Sequence, residues 1–141
     1  MRQLTIIVVL SGMLATPGNA AEPTTFTDTV THVRDGDTIE VGEVPIRLNG
    51  VSAPELNEPL GPDAKIFMHD LVMGLPVRCE LSGQKTYDRF VGICYLRDKD
   101  IGASIIKAGL ALDCPRYSGG RYIHHEQVIA RKRIKLPKYC K

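Results

Sequence analysis

Short segments with the composition of β-strands, interrupted once by an amphipathic helix, restrict the fold of this chain more than any other feature. Residues 24–33, "TTFTDTVTHV", are rich in Thr and Val, which favour the extended backbone of a strand. The turn "RDGD" at 34–37 leads into "TIEV" at 38–41, and "VPIRL" at 44–48 follows Gly42. We therefore expect three consecutive strands joined as a meander.

The spacing of the apolar positions changes after residue 61. In residues 62–75 apolar side chains recur at intervals of three and four, as on one face of a helix. Pro62 stands near the start of this pattern and Gly74 near its end, as is usual at helix boundaries. The apolar face consists of Ala64, Phe67, Met68, Leu71, Val72 and Leu75. The pattern predicts a helix that packs one face against a core.

Two more strands and two more helices are predicted after this helix. "PVRCEL" and "FVGICYL" are typical of adjacent antiparallel strands around a turn near "GQKTYD". A short helix is predicted over "IGASIIKA", capped by Asp100 and ended by Gly109, and a last helix over part of "YIHHEQVIARKRI". Five short strands with a helix between the third and fourth predict an α+β domain, an OB-fold five-stranded β-barrel with three α-helices.

The first 20 residues have the features of a secretory signal peptide. Arg2 precedes an apolar run of 11 residues, and the run is followed by small residues, with Gly18 and Ala20 placed for cleavage. Such a run is too short to span a bilayer, and its flanks disfavour a buried strand or helix. We expect residues 1–20 to be a signal peptide and residues 21–141 to be one domain. The protein would then be secreted or periplasmic, without a stable membrane anchor.

The predicted mature chain contains four cysteines, Cys79, Cys94, Cys114 and Cys140. In an exported chain an even number suggests two disulfides, although four cysteines allow three pairings. Cys79 and Cys94 are about equally far from the predicted hairpin turn, so they can face each other, which leaves Cys114 for Cys140. A zinc site with His124 or His125 is the alternative, but the sequence has no close Cys-x-x-Cys or His-x-x-x-His pair.

Charge is distributed unevenly along the predicted mature chain. Residues 21–115 contain nine Lys and Arg against fifteen Asp and Glu, a balance of −6. Residues 116–141 contain eight against one, a balance of +7. A basic segment of this kind can bind a polyanion such as nucleic acid, and a solvated helix face with a basic tail is the simpler alternative.

Four segments resemble, in order, the signature segments of the staphylococcal nuclease-like, or thermonuclease, family. They are "VRDGDTIEV", "IRLNGVSAPE", "YDRFVGICYL" and "DIGASIIKAGLAL". The similarity extends from about Val30 to about Leu112, with a weaker match at "HHEQ". One Asp-Gly-Asp-Thr turn is common, whereas three charged motifs in the right order between the expected strands and helices are specific. The resemblance implies a Ca²⁺-dependent nuclease that attacks DNA and RNA and leaves 3′-phosphates.

The resemblance also implies roles for individual residues. Asp37 matches a metal-ligating aspartate, and Arg47 and Arg89 match two arginines that bind the scissile phosphate. Glu55 matches the glutamate proposed to orient or deprotonate the attacking water. Three further residues match family positions at the substrate: Asp35, the acidic neighbour of Asp37, and the tyrosines Tyr87 and Tyr117. These residue types suit the chemistry, because forked guanidinium groups bind phosphate oxygens bidentately and a positioned base contributes about 10²–10⁴ in rate.

Two positions depart from the family pattern. Ser52 stands where the family has a second metal-ligating aspartate, so the metal site loses a negative charge, while the carbonyl of Ala53 can still be a ligand. Calcium affinity depends on the number of charged ligands, so we expect weak binding, in about the millimolar range. Asp88 stands where the family usually has glycine, and it is placed to pair with Arg89 and compete with phosphate.

Three hypotheses follow from these observations. The first is an exported, monomeric, metal-dependent phosphodiesterase or endonuclease that hydrolyses single-stranded or unpaired DNA, RNA or both, with activity reduced by weak calcium binding. The second is a catalytically impaired OB-fold protein that binds nucleic acid, which Ser52 favours. The third is a structural or partner-binding module whose charges only support folding. We favour the first, because a protein that only binds has no use for the water-activating carboxylate of Glu55.

Overall fold

The strands and helices occur in the order that the sequence predicts, with short elements added between them. The structure is a computed structural model and describes residues 23–141, so the predicted signal peptide at 1–20 lies outside the described residues. The strands are β1 (Thr24–Val33), β2 (Thr38–Val41), β3 (Val44–Leu48), β4 (Val51–Ser52), β5 (Pro76–Thr86), β6 (Arg89–Leu96), β7 (Lys99–Asp100) and β8 (Leu112–Asp113). The helices are α1 (Gly61–Val72), α2 (Ile101–Lys107), α3 (Pro115–Ser118) and α4 (Val128–Arg133), with 3₁₀ turns at Ile123–His125 and Lys138–Cys140.

Five of the strands close into a barrel. β1 pairs with β2 and with β5, β2 pairs with β3, and β5 pairs with β6, all antiparallel. A parallel pairing that runs from Ile46 opposite Phe90 to Leu48 opposite Gly92 joins β3 to β6 and completes the ring. A Cβ at Gly92 would lie 2.9 Å from the carbonyl oxygen of Glu80, so glycine permits the close approach of β5 and β6. The predicted α+β, OB-type fold is confirmed.

The main hydrophobic core lies between the barrel strands and the inner faces of α1 and α2. Ile39 and Ile46 of the barrel are fully buried, as are Met68 of α1 and Ile105 of α2. The core therefore continues from the barrel interior to the two helices, which fixes the loop before α1 relative to the strands.

α1 ends at Val72, before the end of the apolar pattern at residue 75. Gly74 adopts a φ of 74°, a left-handed conformation that ends a helix and that glycine adopts without strain. The carbonyl of Leu75 then accepts a hydrogen bond from the N–H of Val30 at 2.9 Å. Leu75, the last apolar position of the pattern, therefore lies in the connection that enters β5, because its carbonyl bonds to β1.

The two disulfides have the pairing that the sequence favours. Cys79 and Cys94 are opposite each other in β5 and β6, with Cα atoms 4.1 Å apart. Cys114, just before α3, bonds to Cys140 in the last 3₁₀ turn, with Cα atoms 4.6 Å apart. The zinc alternative loses its thiolate ligands, because all four cysteines are bonded in disulfides.

The predicted last helix is divided, so the described residues form four α-helices where the sequence predicted three. Ile123–His125 form a 3₁₀ turn, and α4 begins only at Val128. Between them the backbone is extended at Glu126, whose buried carboxylate accepts a hydrogen bond from the N–H of Asp113 at 2.7 Å. None of the helices described between residues 23 and 141 is long and apolar enough to cross a membrane.

Candidate active site

One cleft of about 570 Å³ collects most of the residues that the sequence analysis singled out. Those that line it are Asp35, Asp37, Arg47, Glu55, Tyr87, Arg89 and Tyr117. They come from the β1–β2 turn, β3, the loop before α1, the β5–β6 hairpin and α3, so the fold and not the sequence brings them together. Ser52 is buried beside this wall, and Ala53 is half-buried.

The turn between β1 and β2 places Asp37 at the base of the cleft. The Oδ1 atom of Asp35 accepts a hydrogen bond from the N–H of Asp37 at 3.0 Å, which closes the turn locally. A Cβ at Gly36 would lie 2.7 Å from the Cβ of Ala64 and 2.8 Å from that of Ala53, so glycine lets the turn contact both α1 and the loop after β4. Asp37 is consequently only 7% exposed.

Asp37 and Arg47 form an ion pair in the interior of this site. The Nη2 atom of Arg47 lies 3.1 Å from Oδ2 of Asp37, and the same oxygen accepts a hydrogen bond from the N–H of Ala53 at 2.8 Å. The Nη1 atom of Arg47 donates to the carbonyls of Leu48 at 2.9 Å and Val51 at 2.7 Å. The guanidinium group is therefore fixed in position before any ligand binds.

The protonation of Asp37 reflects its burial. Desolvation raises the pKa of the Asp37 carboxyl to about 7, and the negative charge of Asp35 acts in the same direction. Arg47 acts against both and lowers this pKa, but it does not cancel the effect of burial. A further positive charge at Asp37 would favour its ionised form, which is the condition that a cation ligand requires.

The pairing of β3 with β6 that closes the barrel places Arg89 beside Arg47. Val91 of β6 pairs with Arg47 of β3, and Arg89 lies two residues before Val91, so Arg89 and Val91 share a face of β6. The Nη1 atom of Arg89 donates to Oγ1 of Thr38 at 3.0 Å, and its guanidinium carbon lies 5.9 Å from the centre of the Tyr87 ring. We call Arg47 and Arg89 the arginine pair.

Asp88 does not pair with Arg89, contrary to the expectation from the sequence. Its Oδ2 atom accepts a hydrogen bond from Nη1 of Arg34 at 2.8 Å, and this guanidinium lowers the pKa of the Asp88 carboxyl. Arg34 also pairs with Glu40 at 2.8 Å. The Asp88 carboxylate is thus bound to the neighbouring β1–β2 turn, and it does not compete with a ligand for the Arg89 guanidinium.

Glu55 lies at the rim of the cleft on a tightly folded loop. Its N–H donates to Oε2 of Glu58 at 2.9 Å, and a Cβ at Gly61 would lie 1.9 Å from the Glu55 carbonyl oxygen. Within residues 23–141 the Glu55 carboxylate forms no hydrogen bond and no ion pair, and the residue is exposed. Its carboxylate is therefore open to water at the cleft, as a general base must be.

The oxygen atoms near Asp37 suit a hard cation, although they are few. Asp35 and Asp37 supply carboxylates, Ser52 a hydroxyl and Ala53 a carbonyl, which are the ligand types that Ca²⁺ prefers. Across the described part of the chain, no three His, Cys, Asp or Glu side chains group as a metal site. Ser52 is 3% exposed, and its strand β4 pairs with β8 at Leu112. The donor types therefore fit a hard cation such as Ca²⁺, with two carboxylates among them.

Several residues of the cleft wall are absent from the sequence-based prediction. Those with polar side chains that can reach a ligand include Asn49, Gln84, Lys85 and Tyr139. Tyr139 is the most distant in sequence from the other site residues, and it reaches the cleft because Cys140 is bonded to Cys114. The available signal in the sequence was its position next to Cys140, which was predicted to bond to Cys114. Tyr122, by contrast, packs in the core: it is 1% exposed, and its hydroxyl donates a hydrogen bond to Asp100 at 3.0 Å.

Comparison with known proteins identifies relatives along most of the chain. A family model described as staphylococcal nuclease homologue matches residues 45–133. The succinoglycan biosynthesis protein ExoI of Rhizobium meliloti (strain 1021) is 36% identical over 137 residues, which cover 87% of this chain and 70% of that protein.

Two relatives with endonuclease names are matched over shorter regions. An uncharacterized endonuclease of Haemophilus influenzae is 29% identical over 94 residues, covering 63% of this chain and 53% of that protein. The probable endonuclease LCL3 of Phaeosphaeria nodorum is 34% identical over 87 residues, covering 55% and 29%. The chain thus spans about half of the first of these two proteins and less than a third of the second.

Proposed function

Because the chain belongs to the family of staphylococcal nuclease homologues, we propose that it hydrolyses phosphodiester bonds in single-stranded or unpaired DNA, RNA or both. The observation that carries this proposal is the convergence of the arginine pair, Asp37 and Glu55 on one cleft. The two fixed guanidinium groups can bind the phosphate. The carboxylate at the rim, which has no partner among residues 23–141, can act on the attacking water. Two relatives whose names include endonuclease support the same reaction class.

The arginine pair binds the scissile phosphate in this proposal. The charge on the phosphate oxygens increases toward the transition state, and donors that are already oriented stabilise it without reorganising. Arg47 is oriented by Asp37 and two carbonyls, and Arg89 by Thr38 and the carbonyl of Thr86. The two arginines therefore bind from adjacent strands whose spacing the barrel fixes.

Glu55 orients the attacking water and accepts its proton. A carboxylate at the cleft rim with no partner among residues 23–141 can act on a water without first breaking an ion pair. The loop closed by Glu58 and Gly61 fixes the backbone of Glu55, which holds the base of this side chain beside the cleft.

A calcium ion would be bound by Asp37 and the carbonyl of Ala53, with Asp35 and Ser52 beside it. When bound, Ca²⁺ supplies positive charge at the phosphate and positions water. Because Ser52 contributes no charge, we propose that binding is weak and that activity is reduced at low calcium.

We also propose that the protein acts as a monomer outside the cytoplasm. Both disulfides are of the kind that persists in oxidising compartments, and the N-terminal pattern supports export. Detection of the protein in the periplasm or medium with no free thiols, and a monomeric mass in sedimentation, would support this part. A reduced cytoplasmic protein would contradict it.

The test is cleavage of labelled single-stranded DNA and RNA by residues 21–141, with calcium titrated from EDTA to tens of millimolar. We expect cleavage that requires calcium at about millimolar concentration. The alternative function, nucleic-acid binding without cleavage, is favoured by Ser52 and by the small number of carboxylates near Asp37. Binding of either polymer without cleavage at any calcium level would establish the alternative and refute the nuclease.

A further inference from the structure

Tyr139 lines the cleft although it lies beyond the region that matches the family model. That region ends at residue 133, whereas Tyr139 lines the cleft and is 51% exposed. The adjacent Cys140 is fully buried and bonded to Cys114, which also lines the cleft. The disulfide thus fixes the backbone of the 3₁₀ turn and leaves the Tyr139 ring at the surface.

Tyr139 and Tyr117 lie on the two segments that the disulfide joins. Tyr117 is three residues after Cys114 on α3, and Tyr139 is one residue before Cys140. Both residues line the same cleft, and they are about equally exposed, at 50% and 51%. A tyrosine that only packs would resemble Tyr122, which is 1% exposed and hydrogen-bonded. Tyr139 has no hydrogen bond through its hydroxyl among the described residues.

The segment that carries Tyr139 is also positively charged. Glu126 is the single acidic residue in 116–141, and it pairs with Arg131. Lys138, next to Tyr139, is exposed and forms no ion pair within the described residues. An exposed ring beside an unpaired ammonium group, on the wall of a cleft with two arginines, suits a nucleotide, because a base can stack on the ring while its phosphate meets the charge.

We propose that Tyr139, fixed by the Cys114–Cys140 disulfide, is a stacking platform for a nucleobase of the single-stranded substrate, with Lys138 binding an adjacent phosphate. This inference rests on the proposed function, since it adds a base subsite to the same cleft. A base inside a duplex has both faces covered, so this subsite selects single-stranded or unpaired nucleic acid. The disulfide acts on binding by positioning Tyr139, and it does not contact the reacting phosphate.

The test compares two ligands that differ only in their bases. An oligothymidylate of about 12 nucleotides, within the site size of one OB-fold, and an abasic oligomer of equal length are titrated in EDTA by fluorescence anisotropy. We expect Tyr139→Ala to bind the oligothymidylate about 5- to 100-fold more weakly and the abasic oligomer almost as the wild type does. Tyr139→Phe, which keeps the ring, should bind like the wild type. Ile129→Ala, which removes an exposed apolar side chain on α4, is the matched control.

The disulfide is tested by a double-mutant cycle. Cys114→Ser with Cys140→Ser should weaken oligothymidylate binding by a factor similar to that of Tyr139→Ala. Adding Tyr139→Ala to the serine variant should cause little further loss, because the ring is no longer positioned. Additive losses would overturn the positioning role, and the Tyr139 comparison remains decisive if the serine variant fails to fold.

Lys138 is tested by the salt dependence of binding. Lys138→Ala should reduce the slope of log affinity against log salt by about 0.7, the value for one phosphate on a single strand. Lys107→Ala on α2, an exposed lysine away from the cleft wall, should leave the slope unchanged. Equal slopes for the Lys138 variant and the wild type would overturn this contact.

The outcomes separate this inference from the function on which it rests. Equal loss of both ligands in Tyr139→Ala, or no loss of either, overturns the base subsite while the nuclease can stand. A wild type that neither binds nor cleaves any nucleic acid overturns the proposed function and the subsite together.

Discussion

The guanidinium group of Arg47 lies 3.1 Å from the carboxylate of Asp37, and the two side chains are only 16% and 9% exposed. This ion pair joins the residue proposed to bind phosphate to the residue proposed to bind calcium. Arg89 has no such link, because its partners are the hydroxyl of Thr38 and the carbonyl of Thr86. The two members of the arginine pair should therefore differ in what they contribute to stability.

Replacing each arginine by alanine should separate stability from activity. Arg47→Ala removes the charge partner of Asp37 and two hydrogen bonds to carbonyls, so at pH 8, where Asp37 is ionised in the wild type, we expect a loss of about 3 kcal/mol in the free energy of unfolding. Arg89→Ala removes two hydrogen bonds to neutral groups, for a loss of about 1 kcal/mol or less each. Both variants should lose nearly all cleavage activity. Urea unfolding and single-turnover cleavage would measure the two effects, and equal stabilities for the two variants would refute the structural role of the ion pair.

The raised pKa of Asp37 predicts a pH dependence of stability in the absence of calcium. The folded state favours the neutral carboxyl, so the contribution of Asp37 to stability is complete below pH about 4 and is lost as the pH rises through about 7. Asp37→Asn stays neutral and keeps an oxygen that can accept from the N–H of Ala53. The wild type should therefore lose stability relative to Asp37→Asn between pH 4 and 8.

Urea unfolding of both proteins in EDTA, at intervals across this range, would measure the difference. Calcium added at pH 8 should raise the stability of the wild type more than that of Asp37→Asn, because only the aspartate supplies a charged ligand. Two stability curves that remain parallel from pH 4 to 8 would show that Asp37 does not titrate in this range.

The sequence was sufficient to predict the elements and residues that depend on local pattern. The strand and helix periods predicted the barrel order, and the spacing around one hairpin turn predicted the Cys79–Cys94 pair. The proposed site residues follow from family motifs, and they lie at turns and strand ends that the barrel brings to one cleft.

Features that depend on distant partners were not predictable in this way. Asp88 is adjacent to Arg89 in sequence but pairs with Arg34, which is 54 residues away and approaches only when β1 and the β5–β6 hairpin are in place. The last helix is divided because Glu126 accepts a hydrogen bond from Asp113, a tertiary contact that its helical pattern does not contain. In both cases the sequence favoured a local arrangement, an Asp88–Arg89 pair or an undivided helix. Contacts between residues distant in sequence determined a different one.

Glu55→Gln should separate catalysis from binding. The amide has nearly the same shape as the carboxylate but cannot accept a proton from water, so the rate of cleavage should fall by about 10²–10⁴. Affinity for single-stranded DNA in EDTA should stay within about twofold, because Glu55 forms no contact with the arginine pair. Single-turnover rates and anisotropy would give the two values. Glu58→Gln, on the same loop, is the control, and an equal fall in its rate would assign the effect to the loop rather than to the Glu55 carboxylate.

Restoring an aspartate at position 52 should strengthen calcium binding at the expense of stability without calcium. Ser52 is 3% exposed. It lies close to Asp37, because the next residue, Ala53, donates its N–H to Asp37. A carboxylate placed there adds a buried negative charge, so Ser52→Asp should unfold at a lower temperature than the wild type in EDTA. Calcium should remove this difference, and the calcium concentration for half-maximal cleavage should fall by about tenfold or more.

Ser52→Asn, which is the same size as Ser52→Asp without the charge, is the matched control. It should show neither the calcium-dependent gain in melting temperature nor the lower calcium requirement. If Ser52→Asp and Ser52→Asn require the same calcium as the wild type, the charge at position 52 does not set calcium affinity, and the proposed weak site at Asp37 is wrong.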